Sequence, residues 1–293
     1  MLILFRKLSL NRYKTRYLIF LLFCFLFSTT FFSILCFPNG KKESIQSHIV
    51  PTKFGNMYGL SNRCTKKSKL LVFIHGSPGE GSDFTLYLED ESLQKRNCIV
   101  SPDRLGFGKS FQKPFQANLK LQSASLAEMI QTFMKRNDLD FQEITILGHS
   151  YGGPVAFGVG LILQGQSKAN LKVVLLSAPM DPKWERLKFY NHLANHSFVQ
   201  WMLPDSWIRS NEEMFPLQSE LEVLREDVKV ANIPVIIIHG ESDGIVPIEH
   251  KNYLPDLSYQ GKLKTYTIND GSHFIPWTRF KEIKTIILNE ESL

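Results

Sequence analysis

Short apolar runs, each closed by a polar or glycine-rich loop, recur along most of this chain. Leu70-Leu71-Val72-Phe73-Ile74 runs into His75-Gly76-Ser77-Pro78-Gly79, and Cys98-Ile99-Val100 runs into Ser101-Pro102-Asp103-Arg104-Leu105-Gly106-Phe107-Gly108-Lys109-Ser110. Residues 171–176 end at Ser177-Ala178-Pro179-Met180-Asp181-Pro182, residues 234–238 at His239-Gly240-Glu241-Ser242-Asp243-Gly244, and residues 263–268 at Asn269-Asp270-Gly271-Ser272-His273. Runs that do not alternate with polar residues predict strands buried on both faces. Helical spacing fills the intervals, over about 84–94, 121–136, 154–163 and 279–288. Sparser apolar positions over 48–61 predict edge strands. Strands alternating with helices predict a mostly parallel sheet with helices on both faces. The stretch from about 183 to 230 breaks the alternation. It is rich in Trp, Phe, Met, Asn and Glu, is punctuated by Pro204 and Pro216, and reads as a small helical cap.

The run Ile144-Thr145-Ile146-Leu147 leads into Gly148-His149-Ser150-Tyr151-Gly152-Gly153, with a helical stretch after it. Gly-x-Ser-x-Gly between a strand and a helix has the context of a nucleophile elbow. The turn is sharp enough to strain its central residue, and the flanking glycines let the chain segments pass without Cβ clashes. Ser150 Oγ would then stand free at the tip of a strand.

A serine hydroxyl needs a base to take its proton during attack. The base is usually His, oriented by a carboxylate that fixes its tautomer. Ser150, Asp243 and His273 supply these groups in the order Ser…Asp…His, each on a loop after a predicted strand. Sites in such sheets form at the carboxyl ends of the strands. Asp181, on the loop after the preceding strand, is the alternative acid. His273 has few rivals, since His250 falls on a predicted helix and His149 and His239 lie inside turns.

With these pieces in order, the chain resembles an α/β-hydrolase-fold serine hydrolase of the abhydrolase kind. The resemblance covers roughly residues 50–290 and rests on His75 to Gly79, Asp103 to Ser110, Gly148 to Gly153, His239 to Asp243 and Gly271 to His273. It implies an oxyanion hole made by the backbone N–H groups of Ser77 and Tyr151. His75 is read as shaping the oxyanion loop rather than reacting, and Asp103 and Arg104 as structural, holding the glycine turn near the mouth. Relatives that open epoxides or cleave carbon–halogen bonds usually carry Asp at the elbow, so Ser150 points to the esterase, lipase and C–C hydrolase branches. The expected activity is cleavage of a small-molecule carboxylic ester through an acyl-enzyme. Alternatives are C–C bond or amide hydrolysis, haloperoxidase-like chemistry, and a non-catalytic binding protein on the same fold. No cofactor or metal is expected. Trp184, Phe189, Trp201, Met202, Trp207 and Phe215 in the cap are candidates to line an acyl pocket. Cys64 and Cys98 lie at neighbouring strands of this fold, so a disulfide between them is geometrically possible, with two free thiols as the alternative.

Charge and hydropathy refine the picture at the N-terminus. The formal net charge is +6 over 293 residues, but Arg6, Lys7, Arg12, Lys14 and Arg16 precede any acidic residue, and without these five it falls to +1. That removes the electrostatic basis for a nucleic-acid partner. Residues 17–37 carry no charge, and at about 1.5 Å rise per residue a helix of that length spans a bilayer's hydrocarbon core. The basic run before them places residues 1–16 in the cytoplasm. The expected plan is therefore a cytoplasmic 1–16, a transmembrane anchor at 17–37, a linker at 38–50 and a hydrolase domain at 51–293 outside the cytoplasm. A cleaved signal peptide and a secreted domain form the rival reading, although the apolar run is long for one and no Ala-x-Ala follows it. Asn195-His196-Ser197 is a glycosylation sequon, relevant only in a compartment that glycosylates.

Overall fold

The apolar runs pair side by side because each buries both faces. The computed structural model describes residues 45–65, 67–110 and 115–290. Its strands are β1 (Gln46–Thr52), β2 (Gly55–Ser61), β3 (Lys69–Ile74), β4 (Asn97–Pro102), β5 (Glu143–His149), β6 (Asn170–Leu176), β7 (Val235–Gly240) and β8 (Leu263–Ile268). They form one sheet in the order β1-β2-β4-β3-β5-β6-β7-β8. The β1–β2 and β2–β4 pairs are antiparallel and every other pair is parallel.

The helices are α1 (Thr85–Glu89), α2 (Glu91–Arg96), α3 (Leu119–Arg136), α4 (Gly152–Gln164), α5 (Phe189–Ala194), α6 (Ser197–Met202), α7 (Asp205–Val230), α8 (Tyr253–Asp256), α9 (Ile275–Thr278) and α10 (Phe280–Asn289). Alternate residues of β3 explain the layers. Leu70, Val72 and Ile74 join a core with Leu126, Met129 and Ile130 of α3 and Val155 and Val159 of α4. Leu71 and Phe73 join the opposite core with Tyr87 and Leu88 of α1 and Ile283 and Ile287 of α10. This is the α/β-hydrolase fold, a mostly parallel sheet flanked by helices.

Three expectations need adjustment. The helix expected over 84–94 is broken at Asp90, whose carboxylate caps the next helix by accepting the Leu93 N–H at 3.1 Å. The stretch expected as linker, 38–50, already contains the start of β1 at Gln46. Pro216 does not punctuate the cap but lies inside α7. An interior proline costs a helix about 3 kcal/mol, and burial of Leu217, Leu221 and Val228 on the same helix offsets it. Those residues belong to the main core, so the second half of α7 is a flanking helix of the sheet. The cap proper is α5, α6 and the first half of α7. The apolar run 17–37 lies outside the described residues, and among those described no helix is long and apolar enough to cross a membrane.

Cys64 and Cys98 are joined by a disulfide across a sequence separation of 34 residues. It ties the approach to β3 to the start of β4.

Candidate active site

Chain order in the sheet creates the crevice. From β3 the chain moves to β4 on one side and then returns to β5 on the other. Loops leaving β3 and β5 therefore diverge, and ligands of open α/β sheets bind at such a switch point. The loop after β3 carries Ser77 and the loop after β5 carries Ser150.

The elbow has the predicted strain. Ser150 holds φ at +52°, a left-handed conformation that costs a non-glycine residue about 1–3 kcal/mol. Its own N–H donates to the Leu176 carbonyl at 2.9 Å, and its carbonyl accepts the Gly153 N–H at 2.8 Å. A Cβ on Gly152 would stand 2.5 Å from the Ile74 carbonyl oxygen, and one on Gly148 would collide with the Gly152 carbonyl oxygen. Both glycines are thus demanded by close backbone approach. The loop after β3 is as tightly placed, since a Cβ on Gly76 would lie 3.0 Å from the Ser150 Cβ.

His273 and Asp243 meet above the ends of β7 and β8. His273 Nδ1 donates to Asp243 Oδ2 at 2.8 Å. The other oxygen, Oδ1, accepts the N–H groups of Ile245 and Val246 at 2.9 Å each. Burial pushes the Asp243 carboxyl up, but His273 and the two backbone donors outweigh it, and its pKa lies below the ordinary value. The side chain is therefore an ionised acceptor at neutral pH. An ionised acceptor there favours the Nδ1–H tautomer of His273, in which the lone pair lies on Nε2. His149, next to Ser150 in the chain, brings the histidine loop to the elbow. Its Nε2–H donates to the His273 carbonyl at 2.9 Å, and the two rings lie 4.8 Å apart. Burial first, and the nearby His273 second, hold the pKa of His149 at about 3, so it remains a neutral brace.

Asp181 does not meet His273. Its Oδ1 accepts the Lys183 N–H at 2.9 Å, and its own N–H donates to His250 Nδ1 at 3.0 Å.

The loop after β3 is clamped from behind. His75 is buried, and its Nε2 accepts the Arg104 N–H at 2.9 Å. Asp103 accepts the Gly81 N–H at 2.7 Å and the Lys109 N–H at 2.6 Å, so it holds two loops together. Arg104 donates to the carbonyls of His75 and Gly76 at 3.1 and 3.0 Å and forms an ion pair with Glu213 of α7 at 2.6 Å. Sequence reasoning did not single out Glu213. Of the cap aromatics expected to line an acyl pocket, Phe189 is 81% and Trp207 52% exposed, whereas Trp184 and Phe215 are less so.

The fold is that of the α/β hydrolases, and the comparisons with known proteins point the same way. A family model described as alpha/beta hydrolase fold matches residues 69–189, a span that includes Ser77 and Ser150 and stops before Asp243. Protein ABHD12B of Homo sapiens is 24% identical over 64% of this chain and 49% of its own length. YfhR of Escherichia coli O157:H7 is 29% identical over 69% of this chain and 62% of its own length. The chain thus spans only about half to two thirds of these relatives. Among solved structures, the N-acyl homoserine lactonase AidH complexed with N-butanoyl homoserine superimposes with a TM-score of 0.64 at 16% identity, covering 83% of this chain and 95% of that one. At that identity the likeness concerns the fold.

Proposed function

We propose that this chain is a serine hydrolase that cleaves carboxylic esters through an acyl-enzyme. The observation that carries the reading is the Asp243–His273 hydrogen bond, held by His149 beside the strained Ser150 elbow. Ser150 Oγ attacks the ester carbonyl while His273 Nε2 takes its proton. The tetrahedral oxyanion is met by the N–H groups of Ser77 and Tyr151. Collapse expels the alcohol, which receives the proton from His273. Water, activated by the same imidazole, then releases the acid and frees Ser150. A lactone is a cyclic ester, so the lactonase activity of AidH lies within the same chemistry.

Reaction of the full chain with a fluorophosphonate, followed by an ester, thioester and amide panel, tests the reading. One adduct that disappears in Ser150→Ala, together with ester turnover lost by about 10³-fold or more, is the expected result. Ester turnover by Ser150→Ala at the wild-type rate would remove Ser150 as the nucleophile. An amide or C–C substrate preferred over every ester would replace the substrate class. A folded chain inert to the probe and to the whole panel would point to a binding protein.

The same reading places the domain outside the cytoplasm, anchored by residues 17–37. It draws on the basic run before them and on the Cys64–Cys98 bridge, a kind of bond that persists in oxidising compartments. Recovery of the intact chain in the membrane fraction, with the domain open to protease added from outside, is the expected result. Recovery of the uncut chain in the soluble fraction would overturn it.

A further inference from the structure

Both residues given the oxyanion role above touch one buried ion pair. Arg104 and Glu213 have fully buried side chains and join through Nη1 and Oε1 at 2.6 Å and Nη2 and Oε2 at 3.0 Å. Two further donors of Arg104 go to the loop after β3, with Nε on the His75 carbonyl at 3.1 Å and Nη2 also on that of Gly76 at 3.0 Å. The Ser77 hydroxyl donates to Glu213 Oε2. The guanidinium also faces two rings, with Cζ 4.8 Å from the centre of Tyr151 and 4.4 Å from that of Phe107. One carboxylate from the inserted helix α7 thus grips Ser77 directly and the 75–76 backbone through Arg104. The same arginine rests on Tyr151.

Simple stability does not demand this arrangement, because a buried ion pair is often replaceable by well-packed apolar side chains at little cost. Nor does it act through net charge, since the carboxylate and guanidinium cancel. What it supplies is fixed geometry, and oxyanion donors are effective only within about 2.7–3.1 Å of the position the charged oxygen will take.

We propose that Glu213 is a positioning residue for the oxyanion hole. Through Arg104 and the Ser77 hydroxyl it holds the oxyanion loop in register with the elbow, so the hole is complete only while the inserted helix is seated. The inference rests on the assignment of Ser150 as nucleophile.

The test uses the full chain in detergent and compares kcat, KM, fluorophosphonate labelling rate and Tm. Glu213→Gln should lose about 10–100-fold in kcat, less than outright removal of a donor, with KM within about threefold, the pattern of an interaction made in the transition state. Its labelling rate should fall in parallel. The double variant Arg104→Met/Glu213→Met removes both charges together. It should recover much of any loss in Tm yet keep the loss in kcat. Ser77→Ala keeps the N–H and loses only the hydroxyl clamp, and should lower kcat by about 3–10-fold, a fraction of a donor's worth, at unchanged Tm. Recovery of kcat along with Tm in the double variant would reduce Glu213 to a stability role and overturn the proposal. If the Glu213 variants do not fold, Ser77→Ala decides, and wild-type kcat there overturns it. A wild-type chain that takes no fluorophosphonate fails at Ser150 instead, and both readings fall together.

Discussion

Replacing Asp243 by Asn exchanges one oxygen for an NH2 group, and the surroundings dictate which way the amide turns. The Ile245 and Val246 N–H groups both point at Oδ1 from 2.9 Å. Only the amide oxygen can stand there. Reversal would set the NH2 against two donors and strand them, at about 1–3 kcal/mol for each unmade bond, or about 2–6 kcal/mol in all. The NH2 therefore faces His273 Nδ1, where Oδ2 now accepts at 2.8 Å. The imidazole must offer a lone pair at Nδ1, its proton moves to Nε2, and the nitrogen required as a base becomes a donor. The productive tautomer survives only with the amide reversed. At about 1.4 kcal/mol per tenfold, that penalty lowers kcat by between about 30- and 20,000-fold, a range containing the roughly 10⁴-fold loss of comparable triads. Initial rates on an activated ester, corrected with Ser150→Ala, would measure it. Asp181→Asn is the control, expected within about threefold of wild type because Asp181 binds the Lys183 N–H and not His273. A loss under about tenfold for Asp243→Asn, or a greater loss for Asp181→Asn, would refute the tautomer argument.

Two further outcomes concern stability. The Cys64–Cys98 bridge closes a segment of 34 residues, for which the chain-entropy relation gives about 3.8 kcal/mol at 25 °C. Cys64→Ala/Cys98→Ala should lose about 2–4 kcal/mol in urea unfolding, and an unchanged midpoint would show that the bridge does not stabilise the fold. Asp83 is mainly buried, with Glu80 and Asp103 nearby, and its carboxyl is raised from 3.8 to about 6 although the Glu80 N–H opposes the shift. A raised acid favours the fold in its neutral form. Its contribution is present below the ordinary pKa and is lost as pH rises through about 6. Asp83→Asn should flatten Tm between pH 4 and 7 and raise it by about 2–4 °C at pH 8. A Tm at pH 8 below that of wild type would show that the carboxylate is a net stabilising group.

What was legible in the chain was local. The strands announced themselves because a run such as Leu70 to Ile74 divides between two cores, Leu70, Val72 and Ile74 facing one and Leu71 and Phe73 the other. The elbow was legible because its glycines answer backbone contacts between neighbouring segments. The order of Ser150, Asp243 and His273 followed from loops at the same ends of successive strands. Pro216 misled because a breaker's local cost was weighed without the long-range burial of Leu217, Leu221 and Val228 that offsets it. Glu213 left no signal for the same reason. It is one acid on a helix of mixed charge, and its partner Arg104 lies 109 residues earlier. Acids and arginines are almost never fully buried unless paired, and the turn that holds Arg104 is tied to the oxyanion loop. The question that finds Glu213 is which distant carboxylate answers a buried guanidinium, and it can be posed only once the topology sets α7 over the loop after β3. The proposed triad is thus legible from short motifs at strand ends. The link between the inserted helix and the oxyanion loop is written in a pair that only the fold brings together, so substitutions near residue 213 should disturb turnover without altering any motif of the triad.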